Sequence, residues 1–204
     1  MNTHWLQIVS DFVCPWCFIG KRRLDRALEK SALRGKLELE WLPYELDPAM
    51  PAGGHERLSY RARRFGSVAK SKEKDEMARE AARTVDLELR YDLMTRTPST
   101  FGAHRLTRWA HEAGAHQGEV VDAIYRAYFL EGRDIGETET LVEIATKAGL
   151  EESRTREVLG DAGRASSVRE IERGVAAQGV LSVPSYILDQ GPVVRGLDAL
   201  LAKL

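Results

Sequence analysis

The chain has no apolar run approaching the roughly 20 residues that a membrane-spanning helix needs, which argues against an integral helical membrane protein. Neither sign of charge is in excess. Thirty lysines and arginines stand against 31 aspartates and glutamates in 204 residues, a formal net charge of −1. A chain so balanced lacks the global field that would hold nucleic acid or an anionic membrane, and neither is expected as a partner. One local basic run, Arg57 to Lys74, reads as the solvated face of a helix. Met1 to Ser10 carries no basic segment followed by an apolar stretch, so no secretory signal is visible and a cytoplasmic setting is expected. There is no internal repeat and no low-complexity tract.

Cysteine is scarcer still, with only Cys14 and Cys17 in the whole chain. A small secreted domain stapled by disulfides uses more of them at wider spacing, and a loop this short restrains the unfolded chain little. A tetrahedral zinc site needs two further ligands. There is no second C-x-x-C, and His4, His55, His104, His111 and His116 show no clean ligand pairing, so no metal is expected. What remains is reactivity, with an inert pair of core thiols as the bland alternative.

The surrounding pattern favours reactivity. Trp5 to Val9 is a short apolar run that suits a strand. Pro15 fits the first helical position, and helical periodicity then runs to about Ser31, with Cys17, Leu24, Ala27 and Leu28 on one stripe and Lys21, Arg22, Arg23, Arg26 and Glu29 mostly elsewhere. Gly35 is a plausible stop. Leu37, Leu39 and Trp41 alternate with Glu38 and Glu40, the mark of a half-exposed strand. From about Glu56 to Gln178 the chain reads as helical almost throughout, with Tyr91–Pro98 irregular. After Gly179 it turns β-rich: Val180 to Leu188 interrupted by Pro184, a turn at Asp189-Gln190-Gly191-Pro192, a short strand at Val193-Val194 and a closing helix from Asp198 to Leu204. The C-terminal strands cannot fold alone. They pair most simply with the N-terminal ones in a single sheet, giving segments 1–52, 53–178 and 179–204, the middle one an inserted helical lobe.

A thiol must ionise to attack a disulfide. A helix N-terminus offers unpaired N–H groups and the positive end of the dipole, which favours a thiolate on Cys14. Cys17, one turn further in on the apolar stripe, stays protonated and resolves the mixed disulfide. Pro15 and Trp16 tune the pair: Pro15 removes a donor, and Trp16 adds an aromatic body without an ionisable group. His104 and Trp109 lie on a helix of the lobe and read as structural rather than catalytic.

Asp11-Phe12-Val13-Cys14-Pro15-Trp16-Cys17 after a first strand resembles the active site of the DsbA family, most closely its FrnE-like branch. Trp41-Leu42-Pro43-Tyr44-Glu45-Leu46-Asp47-Pro48, Ala103-His104-Arg105-Leu106, Glu131-Gly132-Arg133-Asp134-Ile135, Gly179-Val180 and Val183-Pro184 extend the likeness along the chain. The resemblance implies an α/β thioredoxin fold with a helical insertion and makes Pro184 a cis-proline facing the cysteines. Val183 and Pro184 then bind substrate through the exposed backbone. The chain departs from the family at Ser182, where Gly is usual, at Ser99-Thr100, and at Arg195-Gly196-Leu197-Asp198.

The resulting expectation is thiol–disulfide exchange through a mixed disulfide on Cys14, with a disulfide- or thiol-bearing protein or small molecule as substrate and another thiol system as redox partner. No bound cofactor is required, glutathione is a candidate co-substrate, and a homodimer is compatible with the sequence. Two alternatives stand beside it. One is a glutathione-dependent isomerase or transferase like the 2-hydroxychromene-2-carboxylate isomerases and kappa-class glutathione transferases, which carry serine at the Cys14 position. The other is a holdase-like binding role for the helical lobe.

Overall fold

The computed structural model describes residues 4–29, 31 and 35–203. Alternation along the N-terminal strand organises the molecule. In β1 (His4–Ser10), Leu6 and Ile8 point to one face of a sheet and Val9 to the other. β1 runs parallel to β2 (Leu37–Pro43), with Ile8 opposite Trp41, and α1 (Pro15–Glu29) is the crossover between them. On its other side β1 pairs antiparallel with β5 (Ser185–Leu188), Ile8 lying opposite Tyr186, and β5 pairs with β6 (Val194–Arg195). The strand order is therefore β2-β1-β5-β6, with α9 (Leu197–Leu201) closing the chain. First and last segments share one sheet, as the sequence pattern requires.

The β5–β6 turn shows how local chemistry fixes this edge. Asp189 and Gln190 have φ values of 49° and 58°, and the Gly191 N–H donates to the Leu188 carbonyl at 2.8 Å. Two consecutive positive φ values give the turn a twist that matches the strands. The Asp189 carboxylate accepts from the Trp5 N–H and pairs with His4, tying the turn to β1.

Between β2 and β5 come β3 (His55–Glu56), α2 (Arg57–Phe65), α3 (Val68–Arg83), β4 (Arg96–Thr97), α4 (Phe101–Glu112), α5 (Gln117–Phe129), α6 (Thr138–Lys147), α7 (Glu152–Gly160) and α8 (Ala162–Ala177). Side-chain caps set several of their starts: Glu56 for α2, Ser67 for α3, Glu151 for α7 and Asp161 for α8. One core cluster joins Leu6, Ile8, Phe12 and Phe18 of the sheet region to Leu106, Tyr125 and Phe129 of the lobe. A second, of Val9, Leu42, Val175, Val180 and Ile187, lies on the opposite face of the sheet. Val175 belongs to α8, so the end of the inserted segment folds back to cover that face.

Several expectations change. His55–Glu56 and Arg96–Thr97 form a two-stranded ribbon, where the sequence predicts a helix from Glu56 and irregular chain to Pro98; strands two residues long leave no periodicity to read. The basic run is not uniformly solvated. Arg57 and Arg61 both reach the buried Asp75, at 2.8 and 2.5 Å, and Arg57 covers the Tyr91 ring. Lys21 is buried, 2.8 Å from Asp25 and 3.8 Å from Asp122 of α5, because the lobe covers the flank of α1. Glu40 is buried too, held by Gln7 and Arg108. α1 ends at Glu29, and Gly35, at φ 75°, belongs to the approach to β2 rather than to the helix end. Lys30 and Leu204, which the periodicity assigns to the first and last helices, lie outside the described residues. Among the described residues no helix is long and apolar enough to cross a membrane.

Candidate active site

β1 delivers the chain to a tight turn in which the Cys14 N–H donates to the Asp11 carbonyl at 3.1 Å. α1 starts at Pro15, whose missing N–H has no helical partner to lose. The Cys14 carbonyl accepts from the Cys17 and Phe18 N–H groups at 3.1 and 3.5 Å, which places Cys17 one turn further in. Both cysteines are free thiols, 4% and 3% exposed, whereas Trp16 between them is 45% exposed. Both sulfur-bearing residues are thus buried, Cys14 at the helix start and Cys17 one turn further in. Burial pushes the Cys17 thiol well up, and its hydrogen bond to the Cys14 sulfur pushes it further, so Cys17 is a neutral thiol at physiological pH.

The C-terminal segment completes the site. The Val183–Pro184 peptide bond is cis, and the Val183 carbonyl lies 3.9 Å from Cys14 Sγ. The structure therefore brings Cys14, Cys17, Val183 and Pro184 together, with Pro15 half-buried and Trp16 open beside them. The preceding loop is held by Ser185, whose hydroxyl donates to the Ser182 carbonyl at 2.7 Å. Leu181 stands out from that loop, 75% exposed. A small cavity of about 70 Å³ adjoins Val13, lined also by Leu46, Tyr60, Arg64 and Thr97. A much larger cleft of about 960 Å³, lined by Lys21, Trp41, His111 and Asp122, touches neither cysteine. Among the described residues no group of three or more histidine, cysteine or acidic side chains could hold a metal ion.

Sequence reasoning passed over one feature. Asp11 and His104 are 1% and 3% exposed, and the Asp11 Oδ1 lies 3.5 Å from His104 Nε2. The other carboxylate oxygen accepts the Leu46 N–H at 2.7 Å, and the Tyr125 hydroxyl donates to the Asp11 carbonyl at 3.4 Å. The Phe12 ring packs on His104 at 4.9 Å. The available signal was an aspartate directly before the apolar Phe12-Val13 and a histidine on the apolar stripe of α4, two polar groups that burial makes costly unless they meet. Trp109 is half-buried beneath Arg154 and Arg164.

With this geometry, residues 5–202 match the model of the DSBA-like thioredoxin domain. The chain belongs to that family. A probable DsbA oxidoreductase from Streptomyces coelicolor is 33% identical, with a TM-score of 0.85 over 97% of this chain and 86% of that one. A 2-hydroxychromene-2-carboxylate isomerase, 15% identical, superposes at a TM-score of 0.72 over 98% of this chain and 92% of that one, and shares the fold. So does the cytosolic disulfide reductase DsbM of Pseudomonas aeruginosa, 18% identical, with a TM-score of 0.67 over 98% and 97% of the two chains. This DSBA-like chain falls in the thiol oxidoreductase and isomerase class, with the thioredoxin fold that the resemblance implied.

Proposed function

We propose that this DSBA-like protein exchanges disulfides with a protein or small-molecule substrate through Cys14, with Cys17 as the resolving thiol. The observation that carries this reading is the asymmetry of the pair. Both thiols are free and buried, but Cys14 lies at the helix start with the exposed Trp16 next to it, whereas burial and a hydrogen bond to the Cys14 sulfur keep the Cys17 thiol neutral. The Cys14 thiolate attacks a substrate disulfide, one substrate sulfur leaves as a thiolate, and a mixed disulfide forms on Cys14. Cys17 then attacks the Cys14 sulfur, the second substrate sulfur leaves, and a Cys14–Cys17 disulfide remains. Because Cys14 presents so little surface, the substrate has to approach as an extended segment. The Val183 carbonyl beside the sulfur offers that segment a main-chain acceptor, and Trp16 supplies an aromatic wall.

The cycle needs no bound cofactor. A second thiol system returns the pair to the dithiol form, and glutathione is the candidate reductant. A cytoplasmic setting suits a reductase or isomerase direction, because the glutathione pool there keeps thiols reduced. A homodimer is compatible with this chemistry, which takes place within one chain. Insulin reduction by the wild-type protein and its absence in Cys14→Ser, together with a Cys14–Cys17 potential measured against glutathione, test the assignment; equal rates in both proteins would refute it.

The shared fold with 2-hydroxychromene-2-carboxylate isomerase supports one other reading, glutathione-dependent isomerisation. Asp198, in the first turn of α9, would be the residue near a glutathione amino end in that reading; it pairs with Arg23 at 2.5 Å. Isomerase turnover surviving Cys14→Ser would favour this second reading.

A further inference from the structure

Arg64, one residue from the end of α2, makes no ion pair among the described residues. Its neighbours on the same helix differ, since Arg57 and Arg61 are both held by Asp75. A guanidinium carries five N–H donors. At Arg64 one hydrogen bond is formed, to the Leu46 carbonyl at 3.2 Å, and the charge has no carboxylate against it.

That guanidinium stands on the wall of the small cavity, about 70 Å³, that borders Val13. Val13 directly precedes Cys14, and consecutive Cα atoms are about 3.8 Å apart, so the cavity begins beside the nucleophile although Cys14 does not line it. Leu46 and Phe65 supply apolar wall, and Tyr60 and Thr97 supply hydroxyls. The Thr97 oxygen is buried and makes no hydrogen bond among the described residues. The two carboxylates on this wall are already engaged. Asp47 accepts from the Tyr60 hydroxyl at 2.9 Å and from the Ala49 N–H at 3.2 Å, and Asp11 accepts from the Leu46 N–H at 2.7 Å and faces His104. What the wall has left over is donors, one of them charged. A carboxylate accepts from several donors at once, and its bonds to a guanidinium are charge-assisted. The space admits a carboxylate and its methylene but not a whole molecule.

We propose that Arg64 and the cavity beside Val13 select small disulfides that carry a carboxylate on a short arm from the attacked sulfur. The arm has to be short because the cavity starts at the residue next to Cys14. The exchange itself is unchanged. The Cys14 sulfur bonds to one substrate sulfur, the substrate S–S bond breaks, and the other sulfur leaves as a thiolate with the electron pair; the carboxylate only holds the substrate in place. The proposal rests on the oxidoreductase reading and names the substrate class that the site prefers.

The test oxidises the reduced full-length protein with symmetrical disulfides of similar length: dithiodipropionate, with a carboxylate on each arm, hydroxyethyl disulfide, which is neutral, and cystamine, with an ammonium on each arm. Each rate is divided by that of the same disulfide with mercaptoethanol, which removes differences in intrinsic reactivity, and salt is kept high enough to screen long-range attraction. In the wild-type protein the dicarboxylate is expected to react about 10-fold faster than the neutral disulfide, the worth of one hydrogen-bonded contact to a charged group, and cystamine slowest. Arg64→Gln is expected to abolish the preference and Arg64→Lys to keep part of it; Arg64 is exposed, so neither change disturbs the core. Arg63→Gln removes the same charge one position away, from a residue that does not line the cavity, and is expected to leave the preference in place. Equal normalised rates for the dicarboxylate and the neutral disulfide in the wild-type protein overturn the proposal. So does a preference that survives Arg64→Gln, or one that Arg63→Gln reduces equally, the mark of a general field. If none of the disulfides oxidised the wild-type pair, the oxidoreductase reading would itself be lost.

Discussion

The side-chain amide of Gln117 satisfies both main-chain groups of Trp41. Its Oε1 accepts the Trp41 N–H at 2.9 Å, and its Nε2 donates to the Trp41 carbonyl at 3.1 Å. β2 is the edge of the sheet, and an unpaired edge exposes N–H and C=O groups. Here the first residue of α5 takes the place of a neighbouring strand and attaches the helical lobe to that edge. Gln117→Leu is expected to cost about 2–5 kcal/mol, since it leaves two buried main-chain groups unpaired. Urea unfolding measures the loss, and hydrogen exchange should show the Trp41 amide losing protection ahead of Ile8.

The asymmetry of the two cysteines makes a trapping prediction. Incubated with a disulfide-bearing substrate, Cys17→Ser should accumulate a mixed disulfide on Cys14, because nothing remains to resolve it. Cys14→Ser should form no adduct on Cys17, whose thiol is buried and neutral. Intact-mass spectrometry separates the two outcomes, and an adduct on Cys17 would reverse the assigned roles.

Stability of the dithiol form should fall in alkali. Burial raises the Cys17 thiol in the folded chain, whereas in the unfolded chain it titrates near the free value of about 8.5. Below that pH both states hold the proton and the contribution is fully present. Above it the unfolded state loses the proton first and binds fewer than the native state, so stability declines as pH rises, by at most about 1.4 kcal/mol per pH unit. Buried Tyr125, Tyr128 and Tyr186, also raised, add to the slope only above about pH 10. Urea midpoints from pH 7.5 to 9.5 (roughly the interval around the free thiol value) should fall for the reduced wild-type protein more steeply than for Cys17→Ala.

Asp75 compensates two guanidinium groups, Arg57 and Arg61, in a half-closed site under Tyr91. Asp75→Asn should destabilise the protein by about 3–5 kcal/mol, because it leaves two like charges facing each other with little solvent. Added salt should restore little of this, since buried charges are poorly screened. A loss below 1 kcal/mol (roughly the value of an exposed pair) would mean that both arginines swing out to water.

Much of the architecture was legible because it is written locally. The short apolar run Trp5–Val9, proline at the helix start and the turn residues at Asp189–Gly191 each specify backbone within a few residues. The same local signal fails for β3 and β4, where two residues are too few to carry a period. It fails again for Arg57, Arg61 and Lys21, whose charge predicts exposure that Asp75 and Asp122 remove.

The amino-acid sequence by itself determined the Cys14–Cys17 spacing, its placement where a helix begins, and the order of the longer strands and helices, because these follow from spacing and backbone preference among neighbours. Only the tertiary structure set the Val183 carbonyl against Cys14, from 169 residues away, His104 against Asp11, and Gln117 along the edge of β2. Such meetings depend on how buried faces close over one another, and a polar residue on a buried face does not announce which distant group will satisfy it.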